Sequence, residues 1–241
     1  MMRSLSFLPA ILLAASLFSQ EAGSPRPATQ PAAEPEQAEY AMRWDVTEGG
    51  PRTAKKALEV LDKKADETVD YKIRYFDFTP PEETPAGFSP ILRQRKSEKK
   101  HELTFKYRGG HPLPDWDCPL SSKPDESKGE VDVSILAGGL TKRSFSYSCT
   151  LESKNSAVKP PRELEAEPKD CSNRMKRLKA GKLKVEEWRL PGGITLVEVS
   201  RTGSNTPADL ESFQRDVVDK LIAAGVKPSD RSKTEIGSSC K

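Results

Sequence analysis

Residues 39–46 read Glu39-Tyr40-Ala41-Met42-Arg43-Trp44-Asp45-Val46. Alternation is strict: in an extended strand Tyr40, Met42, Trp44 and Val46 share one face, and Glu39, Ala41, Arg43 and Asp45 share the other. The division recurs at residues 101–108, where Leu103, Phe105 and Tyr107 oppose Glu102, Thr104, Lys106 and Arg108. In the strand expected at 91–97, Arg93 and Arg95 fall on one face. Further strands are expected at 68–78, 130–136, 143–152, 183–190 and 194–201, with Gly138-Gly139 and Gly192-Gly193 as turns. A short amphipathic helix carries Ala54, Leu58 and Leu61. A longer one starts at the capping Thr206 with Pro207 in its first turn and exits at Gly225. Its expected apolar stripe is Leu210, Phe213, Val217, Leu221 and Ile222.

Such a chain is α+β, with about eight strands and two principal helices. A sheet with one charged face ordinarily turns that face to water. The other solution is an antiparallel, tunnel-like β-barrel whose charged face lines the interior while flanking helices cover the apolar outside. Cations lining such an interior need an anionic guest or acidic partners across the lumen, because unpaired charge away from bulk water is costly.

The 241 residues hold 39 Lys and Arg against 36 Asp and Glu, a net charge of +3, which argues against a dedicated nucleic-acid binder and leaves any anion site to local clustering. Residues 1–21 read as a signal peptide, with Arg3 before the apolar run Leu5 to Phe18, and imply export to the periplasm or beyond the cell. Residues 22–38, with Pro25, Pro27, Pro31 and Pro35, read as a disordered tether. The folded domain is expected over 39–236, with a tail at 237–241, and nothing after the N-terminus is apolar enough to span a bilayer. Cys118, Cys149, Cys171 and Cys240 contain no C-x-x-C pair, so they read as two structural disulfides in an oxidising compartment, with three connectivities open. There is no Gly-x-Ser-x-Gly elbow, no Gly-Lys-Ser/Thr phosphate loop, and no metal-binding doublet around His101 or His111.

Several short motifs, in order, resemble the CYTH superfamily of triphosphate tunnel enzymes, which includes thiamine triphosphatase, tripolyphosphatase and one class of adenylate cyclase. They are Glu39-x-Ala41-x-Arg43, Tyr75-Phe76-Asp77, Leu92-Arg93-x-Arg95, Leu103-Thr104-Phe105-Lys106, Glu198 within Leu196-Val197-Glu198-Val199-Ser200, and Lys233 in Ser232-Lys233-Thr234-Glu235. The resemblance covers most of the chain from Glu39 to Glu235. It implies a tunnel that binds a triphosphate or polyphosphate with divalent metal, magnesium or manganese. On that reading Arg43, Arg93, Arg95, Lys106 and Lys233 bind phosphate, since guanidinium forks and ammonium groups pair well with phosphate oxygens. Glu39, Glu130, Asp132 and Glu198 are the candidate metal ligands, because magnesium takes carboxylates plus phosphate.

The chain departs from that pattern where the superfamily has Glu-x-Glu-x-Lys. Ala41 stands in the second acidic position and ligates nothing, Arg43 replaces an ammonium with a planar fork, and Glu198 has only Leu196 and Ser200 as same-face neighbours. Bland readings stand beside each assignment: Arg93 and Arg95 as a solvated strand face, Glu39 and Glu198 as their salt-bridge partners, Trp44 and Phe76 as core. The run Arg174, Lys176, Arg177, Lys179, Lys182 and Lys184 reads as a solvated segment, or else as an electrostatic mouth for an anion. Three functions follow: a tunnel module binding a phosphorylated polyanion with doubtful catalysis, a metal-dependent triphosphatase, or a structural protein whose internal charges pair among themselves.

Overall fold

The computed structural model describes residues 32–240. The segment read as a signal peptide lies outside the described residues, as does most of the segment read as a tether. The strands are β1 (Gln37–Asp45), β2 (Glu67–Asp77), β3 (Phe88–Lys96), β4 (His101–Gly109), β5 (Glu126–Ile135), β6 (Thr141–Ser153), β7 (Glu167–Pro168), β8 (Asn173–Ala180), β9 (Leu183–Arg189) and β10 (Thr195–Ser204). Their order is β3-β4-β6-β5-β1-β10-β9-β8-β2, and β2 also pairs with β3, so nine strands close into a barrel; β7 adds only a two-residue ladder to the end of β2.

The expected tunnel-like β-barrel with flanking helices is what the chain forms. Nine strands close it, in keeping with the expected count of about eight; β8, over the basic run 174–179, is the strand that alternation does not reveal. Cations on both of its faces hide its alternation. One pairing in the otherwise antiparallel barrel is parallel: β1 runs beside β5, with Glu39 opposite Asp132 and Ala41 opposite Ser134.

The outside of the barrel is apolar where the helices and loops cover it. Tyr40, Met42 and Trp44 are buried with Ala54, Ala57, Leu58 and Leu61 of α1 (Ala54–Val60) and its exit, and with Phe213, Val217 and Leu221. Phe213 closes α2 (Pro207–Phe213), which Thr206 caps by accepting from the Asp209 N–H. A π-turn at Gln214–Val218 then leads into α3 (Asp219–Ala223). The widened turn shifts the helical phase, so Leu221 is fully buried while Ile222, expected in the stripe, is 44% exposed. Leu103, Phe105, Tyr107, Phe145 and Tyr147 continue the apolar outer face over β4 and β6, where the Cys118–Cys149 disulfide ties the loop after β4 to β6.

One end of the lumen is filled. Tyr71, Ile73, Tyr75, Met175, Trp188 and Leu196 point inward there and pack with Ile236 of α4 (Lys233–Ser239). A disulfide between Cys171 and Cys240 fastens that helix across 69 residues of sequence; a closed loop of that size removes much unfolded-chain entropy. Among the described residues no helix is long and apolar enough to cross a membrane.

Candidate functional site

Cross-strand partners share a face, so the register converts alternation along each strand into rings of side chains around the lumen. In one ring Arg43 lies beside Glu198, Glu198 beside Glu186, and Glu186 beside Arg177. Arg43 Nε donates to Glu198 Oε2 at 2.8 Å. Arg177 donates to Glu186 Oε1 through Nε at 2.9 Å and Nη2 at 2.7 Å. Lys233, the first residue of α4, inserts its Nζ between Glu186, at 2.8 Å, and Glu198. The indole N–H of Trp188 also donates to Glu186. Burial opposes ionisation of Glu186, yet Lys233, Arg177 and Arg95 hold its carboxyl well below the usual range. Burial likewise opposes the Lys233 ammonium, and Glu186, Glu198 and Glu39 together raise its pKa.

A second group sits where β1 runs beside β5. One carboxylate oxygen from each of Glu39, Glu130 and Asp132 lies within 4.8 Å of the others. Lys106 Nζ is 3.5 Å from Asp132 and 3.7 Å from Glu130. Arg108 grips Asp132 Oδ2 at 2.6 Å, Lys128 reaches Glu130 at 3.1 Å, and Lys184 reaches Glu39 at 3.4 Å. Asp132 Oδ1 is buried and has no partner. Burial and the neighbouring Arg108 pull the Lys106 pKa down, and the three carboxylates only partly offset them. For Glu39, burial acts upward but Lys184, Lys233, Lys106 and Lys128 outweigh it, holding the carboxyl at about 2.

The third group is Arg93 and Arg95. Tyr75 pairs with Arg93, Ile73 with Arg95, and both arginines lie on the lumen side of β3 beside Thr104 and Glu102 of β4. Glu102 is already engaged by Lys100. Neither arginine has a carboxylate within 4 Å among the described residues, and the Nε of each is buried without a partner. Burial, then Arg93 and Arg177, push the Arg95 pKa down to about 10, with Glu186 and Glu102 opposing. The two guanidinium groups are therefore a local excess of positive charge, in a lumen whose other named cations each contact a carboxylate.

Of the candidate metal ligands, Glu39, Glu130 and Asp132 come together, while Glu198 stands in the other group between Arg43 and Lys233. Of the candidate phosphate ligands, Arg43, Lys106 and Lys233 each contact a carboxylate, and Arg93 and Arg95 do not. Glu186, Arg108 and Lys128 also belong to the lumen, as do Arg177 and Lys184 of the basic run that reads as a solvated segment or an electrostatic mouth. Arg108 shared its face with Lys106 in the pattern of β4, which was a usable signal. Arg177 is placed only once β8 is recognised, and Glu186, on the expected strand 183–190, has a role only once Arg177 is set opposite it.

The lumen's carboxylates set a testable pH limit. A carboxyl depressed on folding contributes stability above its unfolded pKa and loses it as pH falls through the folded value. Stability is thus expected to hold down to pH 4.5 and to decline between there and about 2, the Glu39 shift alone being worth about 3 kcal/mol. Denaturant titrations across that range should show the decline, and Glu39→Gln should flatten part of it. An unchanged slope in the variant would show that Glu39 is not held by the lumen cations.

No family model matches the chain, and no curated protein matches it. Solved structures similar to it include PH1012 from Pyrococcus horikoshii OT3, 16% identical, covering 83% of this chain and 98% of that one at a TM-score of 0.44. A candidate adenylyl cyclase from Hippeastrum, HpAC1, in which a triphosphatase activity dominates, is 13% identical, with 83% and 95% covered at 0.47. A candidate adenylate cyclase from Bacillus halodurans is 12% identical, with 85% and 98% covered at 0.45. At such identities and TM-scores these likenesses say nothing of the chemistry in this lumen.

Proposed function

We propose that the barrel is a binding module for a phosphorylated polyanion, with tripolyphosphate, polyphosphate or an organic triphosphate seated against Arg93 and Arg95. The observation that carries this reading is the pair of buried, unpartnered guanidinium Nε atoms in a lumen whose carboxylates are each matched by a cation. Phosphate oxygens supply what those forks lack, and bidentate guanidinium–phosphate pairs are among the strong charge-assisted hydrogen bonds. A structural role with self-paired charges fits less well, because it leaves the two arginines without a purpose and at a desolvation cost.

Catalysis is the second reading. Glu39, Glu130 and Asp132 are a hard oxygen set suited to magnesium or manganese, and the orphaned Asp132 Oδ1 is free to ligate. Such an ion would supply charge neutralisation and orientation at the phosphates. Against it, Lys106, Arg108, Lys128 and Lys184 already engage the same carboxylates, and Ala41 leaves the first-strand acidic pair incomplete. Binding without turnover is therefore the favoured reading. The two disulfides and the signal-like N-terminus support a site of action outside the reducing cytoplasm.

The test is a panel of phosphate compounds in thermal-shift and calorimetric assays, with and without divalent metal. Tripolyphosphate should bind, more weakly as salt is raised, and should survive incubation with magnesium. Absence of binding heat at low salt would end the reading, and metal-dependent release of phosphate would favour the enzymatic one.

A further inference from the structure

The outer face of the barrel carries a second basic feature. Register places Lys96 of β3 beside Lys72 of β2, Lys72 beside Arg174 of β8, and Arg174 beside Arg189 of β9. All four are on the face opposite Arg95, Ile73 and Asn173, so they form an unbroken row of cations across four adjacent strands. Like charges directly opposite one another destabilise a sheet. Among the described residues only Arg189 has an acidic partner, Glu187 at 3.4 Å. With strands about 4.8 Å apart, the row extends about 14 Å.

The row lines a groove of about 440 Å³, which also takes in Lys176. The groove lies at a gap in the barrel wall. β2 pairs with β3 only from Lys72 to Tyr75, so residues 67–71 have no strand partner in β3, and Asp70, Ser97 and Glu98 edge the opening. Tyr71 and Met175, which point into the lumen, line the groove as well. Inside, the Arg177 guanidinium stacks over the Tyr71 ring at 5.2 Å, and Arg177 is among the charges that depress Arg95. Cations therefore run from the lumen arginines, past Tyr71, to the outer row.

We infer that this groove is an outer subsite for the same anion, taking the continuation of a linear polyphosphate whose end occupies the lumen. The inference rests on the lumen reading above and adds the ligand's length to it. A compact triphosphate reaches only Arg93 and Arg95, whereas a long chain also neutralises Lys96, Lys72 and Arg174. The carboxylates at the groove's edges, Asp70, Glu98 and Glu187, oppose a broad anionic surface more than a narrow strand of phosphates threaded between them.

Calorimetric titrations of the full chain with tripolyphosphate and with long-chain polyphosphate, wild type against Lys72→Gln/Lys96→Gln/Arg174→Gln, test this. Per mole of bound chain end, long-chain affinity should fall about tenfold in the variant, the yield expected from several surface charge contacts. Tripolyphosphate affinity should change by less than about twofold, which also certifies that the variant is folded. Equal affinity of wild type and variant for long chains overturns the subsite. Parallel loss for both ligands overturns it too, because the row would then act on the lumen as a whole. Failure of the wild type to bind tripolyphosphate while long chains still bind through the row would instead sink the lumen reading and leave the outer site standing.

Discussion

Arg95→Met is expected to leave the melting temperature of the free protein unchanged or raise it, and to abolish the stabilisation that tripolyphosphate gives the wild type. Two opposed terms set this result. In the free protein the Arg95 guanidinium is partly desolvated, repelled by Arg93 and Arg177, and has no carboxylate in contact. Replacing an uncompensated buried charge by an apolar side chain of similar reach is neutral or favourable. On the proposed reading that charge meets phosphate in the complex, and a ligand at a hundred times its dissociation constant stabilises the fold by about 2.7 kcal/mol. For a domain of this size that is a shift of about 5–10 °C. Lys220→Met, which removes an equal charge from an exposed helical position, is the control and should retain the shift. A destabilised free protein would mean that Arg95 already has a partner within the fold. A retained ligand shift would mean that the anion binds elsewhere. The signature is thus a variant that gains or keeps stability while losing function, as expected where binding groups are held unsatisfied in wait for a ligand.

Much of this architecture could be read from alternation alone. Along β1 and β4 the two faces differ sharply in polarity, so the period of two is visible, and Glu39, Arg43, Lys106 and Arg108 could be assigned to a common side before their strands were paired. The same logic failed at β8. Arg174 and Lys176 point outward while Arg177 and Met175 share the strand with them, and cations on both faces erase the contrast on which the period depends. Losing that strand also hid Glu186, because its role is defined by Arg177 across the β8–β9 hairpin. The acidic cluster illustrates a different limit. Glu39 and Asp132 lie 93 positions apart, and only the parallel β1–β5 pairing makes them neighbours; no local pattern encodes a register between strands so distant. Lys233 was legible as a residue but not as a geometry, since its position depends on a seven-residue helix held by a disulfide whose partner sequence spacing could not choose. Local chemistry was therefore readable, whereas the pairing of one charge with another was set by topology.

The largest loss of stability is expected at Glu186, and Glu186→Gln isolates its charge from its shape. The glutamine preserves volume and keeps a carbonyl oxygen for the Trp188 indole N–H, so packing near Met175 and Leu196 need not change. What disappears is the negative charge shared by Arg177 and Lys233. Lys233 retains Glu198, but Arg177 has no other carboxylate in contact among the described residues. It would stand in the lumen close to Arg95, adding a third unmatched guanidinium to the existing two. Removing one partner from a buried pair costs about 3–5 kcal/mol, which corresponds to about 10 °C of melting temperature in a domain this large. The same change should tighten tripolyphosphate binding, because the anion now neutralises three guanidinium groups and no longer faces the Glu186 carboxylate. Loss of stability together with gain of affinity, measured by thermal denaturation and calorimetry on one sample, distinguishes a polyanion lumen from a self-paired structural core. In a self-paired core Glu186→Gln would lower stability and confer no anion affinity, and that result would refute the binding assignment.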